Sequence, residues 1–141
     1  MPNEKPLVTA ALICDEIIVG DDGVVSLIRV VDRFIGSIPP NLPPDTQPAV
    51  QLKVFFSVKA GDLHGDHEFT VAMRMPNGKS SDFSNSWKVH FDGGDTGGNL
   101  KIQLGLPAVF GLYWLDLKWK NQVIASTPFT LIQDPPTAQK K

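Results

Sequence analysis

The chain has one cysteine, one tyrosine and three histidines in 141 residues. A lone cysteine cannot close an intrachain disulfide, so the fold must be held by a packed core. Cys14 ends the apolar run from Leu7 and has no histidine beside it, which makes it a small core hydrophobe and not a nucleophile. No stretch approaches the roughly 18 apolar residues of a membrane span. The N-terminal MPNEKPLVTA also lacks the basic and apolar regions of a secretory signal. A cytoplasmic protein without a membrane partner is expected. An excess of one charge is missing too, because 13 basic and 15 acidic residues are scattered along the chain with a formal net charge of -2. Such a balance leaves no footprint for nucleic acid. G-x-S-x-G, H-E-x-x-H and phosphate-binding glycine loops are absent. Neither an enzyme nor a cofactor is expected.

What the sequence does have is period-2 alternation, in about seven segments between Leu7 and Ile132. Val50, Leu52, Val54, Phe56 and Val58 alternate with Gln51, Lys53, Ser57 and Lys59. Phe69, Val71, Met73 and Met75 repeat the pattern, as do Leu100, Ile102, Leu104 and Leu106. Only an extended strand places i, i+2 and i+4 on one face, so these segments are half-buried strands of a two-sheet, all-β protein. One domain over residues 1–133 is expected, with a disordered tail at 134–141 whose DPPTAQKK sequence has nothing to bury.

Turn chemistry divides the strands. Gly20-Asp21-Asp22-Gly23 reads as a tight turn between a first strand, continuous or broken by a bulge at Asp15-Glu16, and a second at Val24 to Val31. The proline-rich Ile38 to Pro44 reads as an extended crossover between sheets, and its P-x-x-P spacing as structural. Gly61 to Asp66, Pro76 to Lys79 and Asp92 to Asn99 read as hairpin connections, the last the most mobile for its four glycines. A final hairpin is expected around Asn121-Gln122.

Metal-capable side chains are densest at His64-Gly65-Asp66-His67-Glu68, and Asp92, Asp95 and Asn99 offer oxygen donors to a cation. His67 and Glu68 are adjacent on a strand and so point to opposite faces. The Asp92 to Asn99 segment has no calcium-loop spacing. His64, His67, Asp92 and Asp95 are therefore weak metal candidates, and the expectation is no bound metal. Aromatic phase is more informative. Tyr113, Leu115, Leu117 and Trp119 share one face of their strand, and Trp114, Asp116 and Lys118 share the other. Phe55 is likewise the apolar residue on a polar face. Outward Phe55 and Trp114, rimmed by Lys53, Asp116 and Lys118, are expected to form a contact surface between two copies of the chain. Trp87 is in phase with Val89 and Phe91 and reads as core. Tyr113, the only tyrosine, is expected to brace the fold through its hydroxyl, as a tyrosine corner does.

Three stretches together resemble a family of small bacterial and archaeal single-domain proteins of unknown function. They are Ala11 to Ile18 with the Asp22-Gly23 turn, Val25 to Ile28 and Asp32; Gly65-Asp66-His67 running to Lys79; and Gly111-Leu112-Tyr113-Trp114-Leu115 with Val123 to Leu131. Arg29 departs from the glycine expected after the apolar strand, and the Gly93 to Asn99 segment is longer than usual. The resemblance implies an antiparallel immunoglobulin-like β-sandwich of seven to nine strands and carries no catalytic residue. The reading is a non-catalytic interaction or scaffold module, homodimeric or bound to a protein partner. A sandwich binding a carbohydrate or other small ligand is second, and a metal-dependent hydrolase a distant third.

Overall fold

In the segment Leu52 to Met73 the buried residues change phase. Leu52, Val54, Phe56, Val58 and Ala60 are buried at even positions, then Phe69, Val71 and Met73 at odd ones. A hairpin would produce this change by reversing the chain, but a bulge does so within one strand. The computed structural model, which describes residues 5–36, 50–106 and 109–133, shows a bulge. Seven strands run in order: β1 (Leu7–Val19), β2 (Val25–Val30), β3 (Arg33–Gly36), β4 (Val50–Arg74), β5 (Ser80–Leu106), β6 (Gly111–Trp119) and β7 (Gln122–Gln133). Gly61 to Asp66 and Asp92 to Asn99 are therefore not hairpin loops. Both lie inside strands and face each other across the β4–β5 ladder, with Gly61 opposite Gly94 and His64 opposite Asp92.

Gly61, Gly65, Gly93 and Gly94 all have positive φ here, a conformation only glycine adopts without penalty. They let two paired strands bend together. Side chains knit the corner, for Thr96 Oγ1 accepts from the Asp92 amide at 2.8 Å and donates to the Gly93 carbonyl at 2.7 Å. Asn99, Gly98 and Gly97, expected in a mobile loop, continue the ladder opposite Ser57, Val58 and Lys59.

Hydrogen bonds link all the strands into one sheet, β2-β1-β4-β6-β7-β3 with β5 on β4, and at this corner it folds into two layers. The first contains β2, β1, residues 50–60 of β4 and the end of β5. The second contains the start of β5, the end of β4, β6, β7 and β3. Strands that switch layers through bulges are a known way to close a sandwich. One core fills the space between the layers, with Phe56, Val58 and Leu104 from the first meeting Phe69, Phe91, Leu117 and Phe129 from the second.

The neighbours within each layer define the class. β1, the start of β4 and the end of β5 stand in the A-B-E order, and the end of β4 with β6 and β7 in the C-F-G order of an immunoglobulin-like sandwich. Tyr113, early in β6, donates its hydroxyl to the Val109 carbonyl at 2.5 Å and stacks on Phe129 with centroids 5.0 Å apart. This is a tyrosine corner. The fold is thus an all-β, antiparallel immunoglobulin-like sandwich of seven strands, with one parallel pair, β3 on β7.

Three smaller expectations shift. The β1 bulge falls between Val8 and Ala10 and not at Asp15-Glu16, whose pairing to β2 keeps one register. The final hairpin turns one residue early, at Lys120 and Asn121, both with positive φ, as a two-residue type I′ turn requires. The chain already changes layers between Val31, whose amide bonds to the Ile13 carbonyl, and Asp32, whose carbonyl accepts from Thr130. The proline-rich crossover and the C-terminal tail lie outside the described residues.

Candidate functional site

Phe55 and Trp114 do not meet. Trp114 pairs with Arg74 and Pro128 in the second layer, whereas Phe55 pairs with Leu12 and Lys101 in the first. The two side chains therefore belong to opposite outer faces of the sandwich. Phe55 is also only 8% exposed, so its ring offers no contact surface. Lys53 is engaged with Glu16, and this bond is the main reason the Glu16 carboxyl lies below its usual range.

Around Trp114 the expected charged rim is an internal network. Asp116 is buried and accepts two bonds from Arg74, each 2.9 Å, and one of 2.6 Å from the Ser126 hydroxyl. Burial pushes the Asp116 carboxyl up, but these bonds and the Arg74 charge outweigh it and hold the group below its ordinary value. The same guanidinium lies 5.2 Å from the Trp114 ring centroid and covers part of it. Lys118 reaches Asp82 at 3.4 Å. Arg74 and Ser126 were not singled out in the sequence, because neither stands near Asp116 along the chain.

The metal candidates are dispersed at the corner. Both ring nitrogens of His67 are engaged, since Nδ1 accepts from the Trp119 indole at 3.1 Å and Nε2 lies 2.9 Å from the His64 carbonyl. An indole only donates and a carbonyl only accepts, so Nε2 carries the proton and no lone pair is left for a metal. His64 lies 3.7 Å from Asp92. His90 lies 2.7 Å from Asp66 and holds that carboxyl below its usual range. Asp95 is exposed. Among the described residues no three metal-capable side chains converge. Burial raises the Cys14 thiol, which suits its place beneath the surface.

A different surface carries five of the nine exposed large apolar side chains among the described residues. Among the described residues, 16–19 of β1 pair with β2 alone, beyond the end of the β1–β4 ladder at Cys14. This two-stranded ribbon therefore extends past the sheet. Ile18, Val19, Val24, Ile28 and Val30 on it are 43% to 63% exposed. Register places Ile18 and Ile28 on one face, with Val24 at the tip. The neighbouring charges are already paired, Arg29 with Asp15 at 3.1 Å and Lys53 with Glu16. The sequence held a signal for this surface, since Ile17-Ile18-Val19 and Val24-Val25 are apolar at consecutive positions and so on both faces of a strand.

No family model and no curated protein matches the chain. Solved structures give distant likenesses. The CARDB domain of a Pyrococcus furiosus protein, in complex with di-metal ions, is 12% identical with a TM-score of 0.45, over 94% of this chain and 93% of that one. An immunoglobulin-like protein from Pseudomonas aeruginosa is 11% identical with a TM-score of 0.43, over 90% and 96%. A Kluyveromyces marxianus β-glucosidase is 15% identical with a TM-score of 0.41 over 57% of this chain, which spans 12% of the enzyme's length. The assignment of the fold rests on the strand order and the tyrosine corner described above.

Proposed function

We propose that the chain is a non-catalytic interaction module that self-associates through the β1–β2 ribbon. The observation that carries this reading is the cluster of exposed Ile18, Val24 and Ile28 on a ribbon whose strand β2 pairs only with β1 among the described residues. Two strands alone are marginally stable in water and need a further apolar layer. Clustered exposed apolar side chains of this kind mark contact sites. The occupant is a second copy of the chain. A two-fold contact sets a patch against itself, and beside Ile18 and Ile28 the charges of Arg29 and Lys53 are paired with Asp15 and Glu16, while the acidic Asp21-Asp22 turn stands at the tip of the ribbon. Burying what remains exposed of two isoleucines per copy, 47% of Ile18 and 43% of Ile28, gains about 1.5–3 kcal/mol of apolar transfer.

Light scattering during size exclusion tests this. The parent is expected at twice the mass of one chain, and an Ile18→Lys, Ile28→Lys variant at the mass of one, with an unchanged circular dichroism spectrum. A parent that stays monomeric at about 100 µM, a concentration at which even a weak dimer of Kd near 10 µM forms, refutes the proposal.

A further inference from the structure

Among the described residues β5 pairs only with β4, which makes it an edge strand in both layers there. Along this side the sandwich is open, and a cleft of about 620 Å³ runs between the two halves of β5. That volume lies within the roughly 300–1,000 Å³ of small-molecule sites. Phe83, Asn85, Asp82 and Trp87 line one wall, and Lys101 and Gln103 line the other. A bulge shapes the first wall, because three residues of β5, 83–85, stand opposite the single Val71 between the pairs Thr70–Ser86 and Ala72–Asp82. Bulges of this kind re-aim side chains at functional sites. Trp87, expected in the core, packs against it and is only half-buried.

The lining has unspent hydrogen-bonding capacity. Among the described residues, the side chains of Asn85 and Lys101 have no partner. Gln103 donates to Gln51 at 3.0 Å, which leaves its amide oxygen able to accept. Asp82, which Lys118 reaches only at Oδ1, keeps its other carboxylate oxygen and only accepts, Lys101 only donates, and the two amides do both. A ligand of one charge sign is attracted by one of the two ions and repelled by the other. A ligand of many hydroxyls, each donor and acceptor, satisfies all four side chains. The aromatic rings beside them suit a flat C–H face.

We infer that this cleft binds a pyranose oligosaccharide, with a sugar ring stacked on Trp87 and its hydroxyls shared among Asp82, Asn85, Lys101 and Gln103. The chain has three tryptophans, so the three indole N–H signals of ¹⁵N-labelled protein localise the contact. Titration with cellohexaose, chitohexaose and mannohexaose, all neutral, is expected to shift the Trp87 signal saturably with at least one of them. Trp114 and Trp119 should stay in place. Asn85→Ala removes one exposed amide and should weaken that binding roughly three- to tenfold, the effect of one hydrogen bond. Trp87→Phe should weaken it further, and retention of the parent's remaining dispersed amide spectrum establishes that this variant is folded. The inference fails if no probe shifts the Trp87 signal at about 10 mM, the edge of specific affinity. It also fails if the shifts fall on Trp114 or Trp119, or if Asn85→Ala binds as the parent does.

Discussion

Arg29 stands at a φ of 57° inside β2, a left-handed conformation that costs a residue with a Cβ about 1–2 kcal/mol. A glycine at this position avoids the cost. Part of the penalty is offset by the ion pair with Asp15, but both partners are well exposed, and such pairs contribute about 0–1 kcal/mol. Glycine also loses more freedom on folding. Arg29→Gly is therefore expected to stabilise the protein by about 0.5 kcal/mol net, read as a higher urea midpoint with an unchanged slope. A lower midpoint would mean that the Asp15 pair matters more than the backbone. Single residues whose role follows from their own strand were legible in the sequence. Tyr113 and outward Trp114 are where phase put them, whereas Phe55 is out of solvent although phase turns it outward.

At the scale of elements, the corner of β4 and β5 decides the architecture, and Gly97 is its tightest point. A Cβ there would lie 2.0 Å from the Val58 carbonyl oxygen, too close for any rotation of a side chain to relieve. Gly97→Ala must push β5 away from β4 at Val58 and Lys59, and the expected cost is about 1–3 kcal/mol. Asp95→Ala, nearby and exposed, should stay within about 0.5 kcal/mol of the parent. Urea melts of both variants check the pair, and equal midpoints would mean that the segment is as loose as a hairpin tip. The strands were legible because alternation is local, but their continuity was not. Gly61 to Asp66 and Asp92 to Asn99 have the composition of turns, and what makes them bulges is that each pairs with the other some 30 residues away. That pairing also brings the halves of β5 around the cleft, so Trp87 read as plain core. The Arg74, Asp116 and Ser126 cluster was hidden for the same reason.

For the whole molecule these contacts set a pH profile with two limbs. Asp116 ties β6 to β4 through Arg74 and to β7 through Ser126, and its carboxyl is held below the ordinary range despite the opposing push of burial. Its folded pKa is thus below its unfolded one, so in acid the unfolded chain takes up the proton first. The stabilisation is full above the ordinary aspartate range and is lost as pH falls through the depressed folded value. Tyr113 is shifted the other way, because burial raises its hydroxyl. That contribution is full below the ordinary tyrosine range and is lost as pH rises through the raised folded value. Thermal melts from about pH 2 to about pH 12, a span that runs past the ordinary aspartate and tyrosine values on both sides, should show a plateau with a fall at each end. Asp116→Asn removes the titrating group and with it charge-assisted bonds worth about 2 kcal/mol. Its melting temperature should be lower at neutral pH and its acid limb shallower, while the alkaline limb keeps its shape. An acid limb as steep in Asp116→Asn as in the parent would show that other carboxyls carry it and that the Arg74 pair is too solvated to matter.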